Sequence, residues 1–360
     1  MDIRQATSAY EHWLRRRMPM LDGDLRLKHQ RMAESPFPFL RATFYRWVQL
    51  WPRVCPELAR TARVLGIGDI HVENFGTWRD GEGRLVWGVN DFDEAWPVPY
   101  ANDLVRLAVS AILAINENHL SCTAGEACDE ILTGYRDGLA SGGASFVLAE
   151  EHRGLRDWAL STVRDPALYW EKFGSLPSMR TGIPAEAKAA LKRALPEPGL
   201  ASRVVHRRAG LGSLGRRRFT ALAHWRGGWI AREVKELTVS AWQWEKESRR
   251  DEEIHYQRII NQAVRVMDPF VRVHGHWLLR RLAPDCSRIE LRSLPKSRDE
   301  LKLLHAMGWE TANVHLGTKK AVRRVLGDLK KRPAKWLGKA AEAMAKATID
   351  DWKEWARFFK

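Results

Sequence analysis

Cysteine is scarce: Cys55, Cys122, Cys128 and Cys286 are the only four in 360 residues, and no two form a Cys-x-x-Cys pair. That argues against a disulfide framework and a cysteine-rich zinc site, and it fits reduced thiols. No run of about 18 apolar residues occurs, so no membrane-spanning helix is expected. The opening Met1-Asp2-Ile3-Arg4-Gln5 lacks the apolar stretch of a secretory signal, which predicts a cytoplasmic protein. Internal repeats and long low-complexity tracts are absent. So are zinc-finger spacings and an aromatic RNA-binding signature.

What is present suits a globular chain. Hydrophobic residues make up 45% of it, enough for a sizeable core in one large domain or two modest ones. A formal net charge of +15 points to an anionic partner: a nucleotide, a phosphorylated substrate, nucleic acid or an acidic lipid. Most of the 17 tryptophans are expected in packing.

The most informative stretch is Gly68-Asp69-Ile70-His71-Val72-Glu73-Asn74-Phe75-Gly76, followed by Asn90-Asp91-Phe92-Asp93-Glu94-Ala95. Arg63–Ile67 and Arg84–Val89 read as strands, with Asp80-Gly81-Glu82-Gly83 as the turn between them. Asp69 and Asn74 then precede a hairpin and Asp91 follows it, so the three side chains can converge. Phosphoryl transfer from a magnesium nucleotide needs such a set. One carboxylate (Asp69) orients the acceptor, while a carboxamide (Asn74) and a second carboxylate (Asp91) hold the metal. Hard oxygen ligands suit magnesium.

Asp69, His71 and Asn74, then Asp91 and Ala95, then Asp103-Leu104, resemble the motifs of aminoglycoside phosphotransferases and choline kinases, members of the protein-kinase-like superfamily. The resemblance implies Asp69 as catalytic base, Asn74 and Asp91 as metal ligands, and Asp103 as a structural brace of the catalytic loop. His71 is left between bonding the loop backbone, contacting the acceptor and doing neither. The histidine usual two residues before the catalytic Asp is replaced by Ile67.

A second constellation, Gly210-Leu211-Gly212-Ser213-Leu214-Gly215, precedes a strand (Arg217–Ala223), a turn (Arg226-Gly227-Gly228) and an alternating strand ending on Lys235. Strand–turn–strand argues against a dinucleotide fold. It is similar to the glycine-rich hairpin and phosphate-binding lysine of kinases. That likeness implies ATP phosphates at Gly210, Gly212, Ser213 and Gly215, with Lys235 as their point charge. A helical stretch over Thr238–Met267 follows, in which kinase-like spacing favours Glu252 or Glu253 as the partner of Lys235. Two strands over Phe270–Leu282 then end at an expected hinge for the adenine ring.

In kinases these nucleotide-binding parts precede the catalytic loop; here they follow it. The expectation is a circularly permuted, two-lobed α+β kinase-like fold. Residues 1–198 form the catalytic lobe, 199–297 the glycine-loop and lysine lobe, and 298–360 a helical return. The motif order also resembles an uncharacterised bacterial family of domains of unknown function, from about Lys28 to Gly317. The implied activity is ATP- and magnesium-dependent phosphotransfer to a hydroxyl or amine acceptor, most simply a small molecule.

Other expectations concern the flanks. Ser35-Pro36-Phe37-Pro38-Phe39 reads as an extended turn, and Lys28 and Arg41 as phosphate contacts or surface cations. Asn102 reads as a helix N-cap. A basic run spans Lys319 to Arg332, and Thr348-Ile349-Asp350-Asp351 reads as a helix start. The rival readings are a metal-dependent phosphoesterase using Asp69, His71 and Asp91, a nucleic-acid-binding module, and a pseudokinase or AMP-transferring protein on the same fold. The phosphoesterase reading lacks a Gly-Asn-His-Asp/Glu turn and leaves the glycine loop and Lys235 unexplained.

Overall fold

The computed structural model describes residues 1–148, 152–161, 165–246, 252–286 and 299–359. Four helices open the chain: α1 Ile3–Arg15, α2 Asp22–Glu34, α3 Pro36–Ala42 and α4 Phe44–Val54. A capping box starts α1, with Asp2 accepting from the Gln5 N–H and the Gln5 side chain accepting from the Asp2 N–H. The expected extended turn at residues 35–39 is confined to Ser35. Pro36 begins α3, because a proline at the first helical position loses no intrahelical bond.

Strands β1 Arg63–Gly66, β2 Phe75–Arg79, β3 Leu85–Val89 and β4 Trp96–Pro99 follow. The sequence placed the turn at residues 80–83 but not the pairing. The hairpin joins β2 to β3, while β1 pairs antiparallel with β4. Asp80 shapes the turn by accepting from the Glu82 and Arg84 N–H groups at 3.0 and 2.8 Å.

Helices α5 Tyr100–Asn116 and α6 Ala124–Ser141 come next, then β5 Phe146–Val147, which adds to β3. Asn102 is not an N-cap, since α5 already starts at Tyr100. Its side chain accepts from the Trp47 indole at 2.9 Å instead. Prolines open the next helices: Pro166 begins α8 and Pro184 caps α9, in the run α7 Arg153–Ser161, α8 Pro166–Gly174 and α9 Ala185–Ala194.

The largest sheet is wholly antiparallel, in the order β6-β7-β8-β10-β9. Its strands are β6 Arg203–His206, β7 Arg218–Trp225, β8 Gly228–Glu236, β9 Arg272–His274 and β10 Trp277–Leu282. The single helix expected over Thr238–Met267 is instead two short ones, α10 Ala241–Lys246 and α11 Tyr256–Gln262. One face of the sheet buries Phe219, Ala221, Val234 and Leu279 with Ala187 and Leu191 of α9. The other buries Val205, Leu222, Ala231 and Leu282 with Tyr169 and Phe173 of α8.

Helices α12 Glu300–Leu316, α13 Lys319–Lys331 and α14 Trp336–Ala356 return to the first half, where α14 lies along α5. The expected helix start at residue 348 lies inside α14, which runs unbroken; the Thr348 hydroxyl bonds back to Met344 O at 2.8 Å. Most of the basic run is a solvated face of α13, whose Ala321, Val325 and Leu329 point inward. The result is a mixed α/β molecule with antiparallel sheets. Among the described residues no helix is long and apolar enough to cross a membrane.

The core is centred on α5, which is buried from Tyr100 to Ala114. Against it, α6 and α12 approach backbone to backbone. A β-carbon on Gly308 would lie 2.1 Å from Ile131 O, and one on Gly134 would lie 1.9 Å from His305 O. Gly308→Ala is therefore expected to destabilise by about 3 kcal/mol, since backbone cannot yield as a side-chain tip does. Urea unfolding of the variant would show this as a lowered midpoint, and an unchanged midpoint would refute the close packing.

Candidate active site

The loop after β1 is shaped by one buried carboxylate. Asp103 has no exposed surface and accepts from the Ile67 N–H at 2.6 Å, the Gly68 N–H at 3.1 Å and the Asn102 side-chain amide at 3.0 Å. His315 Nε2 lies 3.1 Å away, and the other ring nitrogen meets the Tyr135 hydroxyl at 2.8 Å. Gly68 takes φ +79°, and a β-carbon there would lie 2.3 Å from Glu94 O, so only glycine fits the turn. His71 is buried, and its Nδ1 accepts from the Glu73 N–H at 3.2 Å.

Asp69 follows this turn. Its Oδ1 accepts from Arg106 Nε at 3.0 Å and also from Nη2 of the same guanidinium. Arg106 stands one helical turn after Asp103, is fully buried, donates to Leu40 O at 2.9 Å and lies against the rings of Phe44 and Trp47. Burial pushes the Asp69 carboxyl up to about 6 against the pull of Arg106.

Asn74 donates its side-chain N–H groups to Asp69 O at 3.1 Å and Asp91 O at 3.2 Å. Those two acceptors fix which end of the amide is nitrogen. The Oδ1 is buried and has no hydrogen-bond partner. Nearby, Lys235 is 1% exposed and sits between two carboxylates, in contact with Asp93 and 3.3 Å from Asp91. Asp91 is more open, at 38%. Burial opposes its ionisation, but Lys235 and Arg280 hold its carboxyl below the usual carboxylate range. Burial and the charge of Asp91 push Asp93 up to about 6.

The glycine loop joins β6 to β7 and folds over Asp69. A β-carbon on Gly212 would lie 2.9 Å from Arg41 O and 3.4 Å from Asp69 Oδ2. Gly210 and Gly215 have φ of +74° and +95°. The Ser213 hydroxyl bonds Gly210 O at 3.2 Å and accepts from Arg218 at 3.1 Å. Lys28 is a buried cation, not a surface one; it donates to Gly212 O at 3.3 Å, and burial lowers it to about 8. Arg41 pairs with Glu73 at 2.6 Å. Asp69, Asn74, Asp91 and the loop glycines Gly210 and Gly212 border one cavity of about 310 Å³.

The structure thus gathers Asp69, Asn74, Asp91, Lys235 and the glycine loop, with His71 and Asp103 supporting the first loop. It does not bring in Glu252. That residue is exposed in the link between α10 and α11, because the helix expected to carry it is interrupted there. The partners of Lys235 are Asp91 and Asp93, and Glu253 pairs with His255 and Arg258. Sequence reasoning also missed Arg106, Asp93 and Glu233. The spacing Asp103-x-x-Arg106 on a helix and the alternation Glu233-x-Lys235 on a strand were the available signals. The donor set suits magnesium: an unbonded amide oxygen and an accessible carboxylate, with water and phosphate to complete the shell. It does not suit a two-metal phosphoesterase. Among the described residues no three His, Cys, Asp or Glu side chains cluster to hold a metal. His305 and His315 are engaged on α12 with Asp137 and Asp103.

Residues 20–157 match the family described as an uncharacterized protein conserved in bacteria (DUF2252). That span carries Asp69, Asn74, Asp91 and Asp103 and ends before the glycine loop. No curated protein and no solved structure matches the chain.

The Arg106–Asp69 pair makes a pH-dependent prediction. Arg106→Met leaves a buried carboxylate without its cation, at a cost of about 3 kcal/mol at pH 7.5. At pH 5 the orphaned Asp69, its pKa raised further, is protonated and the loss shrinks. Urea unfolding at both pH values measures the difference, and an equal loss at each would contradict the pairing.

Proposed function

We propose that this chain is an ATP- and magnesium-dependent phosphotransferase with a two-lobed kinase-like plan in circularly permuted order. Its acceptor is a hydroxyl or amine of a small molecule. The observation that carries the reading is that Asn74, whose Oδ1 is buried and unbonded, and Asp91, whose carboxylate is accessible, are joined through the Asn74 amide and the Asp91 backbone. Both border the cavity into which Asp69 turns under the glycine loop. A buried amide oxygen with no protein partner, on a residue that borders the cleft, is costly unless a ligand or water completes it.

Asn74 and Asp91 would hold magnesium, which supplies charge neutralisation to the phosphates of the donor. Arg106 occupies Oδ1 of Asp69 and leaves Oδ2 facing the glycine loop at Gly212, so the base would present that one oxygen to the acceptor's proton. The proton passes to Oδ2 as the acceptor oxygen or nitrogen bonds to phosphorus and the bond from phosphorus to the leaving nucleotide oxygen breaks. The glycine loop closes on Asp69 at Gly212, and a cavity of about 310 Å³ suits a small acceptor better than a folded protein. The helical segments 1–54 and 300–356 complete the walls of the catalytic half, and the sheet of β6–β10 supplies the nucleotide half.

Thermal unfolding with ATP, with magnesium and with both tests the reading. A ligand present at a hundred times its Kd adds about 2.7 kcal/mol, a rise of a few degrees. The full shift is expected to require both components and to vanish in Asp91→Ala. Asp69→Asn is expected to keep the shift and lose turnover; turnover surviving in that variant would remove Asp69 from the base role. Because the base must be ionised and its pKa is near 6, kcat/KM is expected to fall as pH drops through about 6. An acid limb near 4 would exclude Asp69 as that base.

A further inference from the structure

Strand register puts Thr220, Glu233 and Arg280 in one cross-strand row, flanked by the row Arg218, Lys235 and Leu278. Glu233 has no exposed surface, yet three guanidinium groups converge on it: Arg218 at 2.7 Å, Arg207 at 2.8 Å and Arg280 at 2.8 Å. Burial alone would raise its carboxyl; the three arginines hold it well below the usual range. Three cations against one anion leave an excess of two positive charges. All three arginines also border the 310 Å³ cavity with Arg216 and Lys28, as do the carboxylates of Asp69, Glu73, Asp91, Asp93 and Glu94. Lys235, the cation expected to meet phosphate, is 1% exposed and already neutralised by Asp91 and Asp93.

The apolar part of the same sheet face is occupied. Leu222, Ala231 and Leu282, with Val205, are buried against Tyr169 and Phe173 of α8. At the end of β10, where an adenine ring was expected to pack, Leu282 is 7% exposed and packs with Tyr169 and Phe173, which leaves only its edge to border the cavity.

We propose that Arg207, Arg218 and Arg280, pre-set by Glu233, form a polyphosphate site that recognises its ligand by the phosphate chain and not by a base. The inference rests on the phosphotransferase reading only for the identity of the natural ligand; the site itself follows from the arginines. Guanidinium forks match phosphoryl oxygens bidentately, and Glu233 holds them in place before the ligand arrives. The bound chain supplies the negative charge that the cluster lacks.

Calorimetric titration of the purified protein with inorganic tripolyphosphate, ATP, CTP and adenosine tests the proposal, with and without magnesium. Tripolyphosphate, ATP and CTP are expected to bind within about tenfold of one another, and adenosine not measurably. Arg207→Gln and Arg280→Gln are each expected to weaken tripolyphosphate by at least about tenfold. Arg207 is a quarter exposed and its loss leaves Glu233 two partners, so that variant tests the site with the fold intact. Matching thermal melts confirm the fold. Adenosine binding as well as ATP, unchanged affinity in both arginine variants, or no tripolyphosphate binding would each overturn the site. Magnesium-dependent ATP turnover persisting beside such a result would leave the phosphotransferase reading standing. Arginine-dependent tripolyphosphate binding without any ATP turnover would remove that reading and keep the site.

Discussion

The carboxylate of Asp103 is completely buried, and a buried charge must be met by hydrogen-bond donors. It finds them in the Ile67 and Gly68 N–H groups and the Asn102 amide, with His315 of α12 at its other side. That requirement shapes the loop from which Asp69 projects. It also explains Gly66, where a β-carbon would lie 2.7 Å from the Asp103 carboxylate. Through His315 and Tyr135 the same network ties α5 to α12 and α6, so the distant C-terminal helices take part in fixing the candidate catalytic residue. One turn along α5, Arg106 carries the constraint from the loop backbone to the Asp69 side chain.

The second half of the site depends on the N-terminal helices. The glycine loop is held by the Leu21 N–H on Gly215 O at 2.8 Å, by Asp24 on His206 and Arg208, and by Lys28 on Gly212 O. Asp24 and Lys28 are one helical turn apart on one side of α2, and Leu21 is the residue that caps its start. Leu211 packs with Ile3, Met32, Phe39 and Trp355, which anchors the loop in apolar contact as well. A glycine-rich loop has high conformational entropy, and this strip reduces it before any ligand binds. The helices at residues 1–54 thereby connect the sheet to the half of the molecule that carries Asp69.

Charge is concentrated around the cleft. Asp91, Asp93 and Lys235 form one coupled group, and Glu233 with three arginines forms another on the same sheet face. The net charge of +15 pointed to an anionic partner but did not place any of the excess; cations outnumber carboxylates in the lining of the cavity. Part of it lies elsewhere, on the solvated side of α13.

The sequence by itself determined local pieces: the carboxylate–amide–carboxylate spacing of Asp69, Asn74 and Asp91, the glycine-rich turn, the alternating strand ending on Lys235, and the strands β1, β3, β7, β9 and β10. Those depend on neighbours in the chain, through periodicity and turn chemistry. Tertiary structure decided the partners. Lys235 meets Asp91 and Asp93 and not Glu252, because the intervening chain breaks between α10 and α11 and leaves Glu252 in solvent. β1 pairs with β4 and not with the hairpin, because the loop held by Asp103 directs β2 elsewhere. Lys28 and Arg106 owe their roles to packing over long sequence separations. Sequence patterns specify which residues share a face of one element; which faces meet is set by burying charge and apolar surface together.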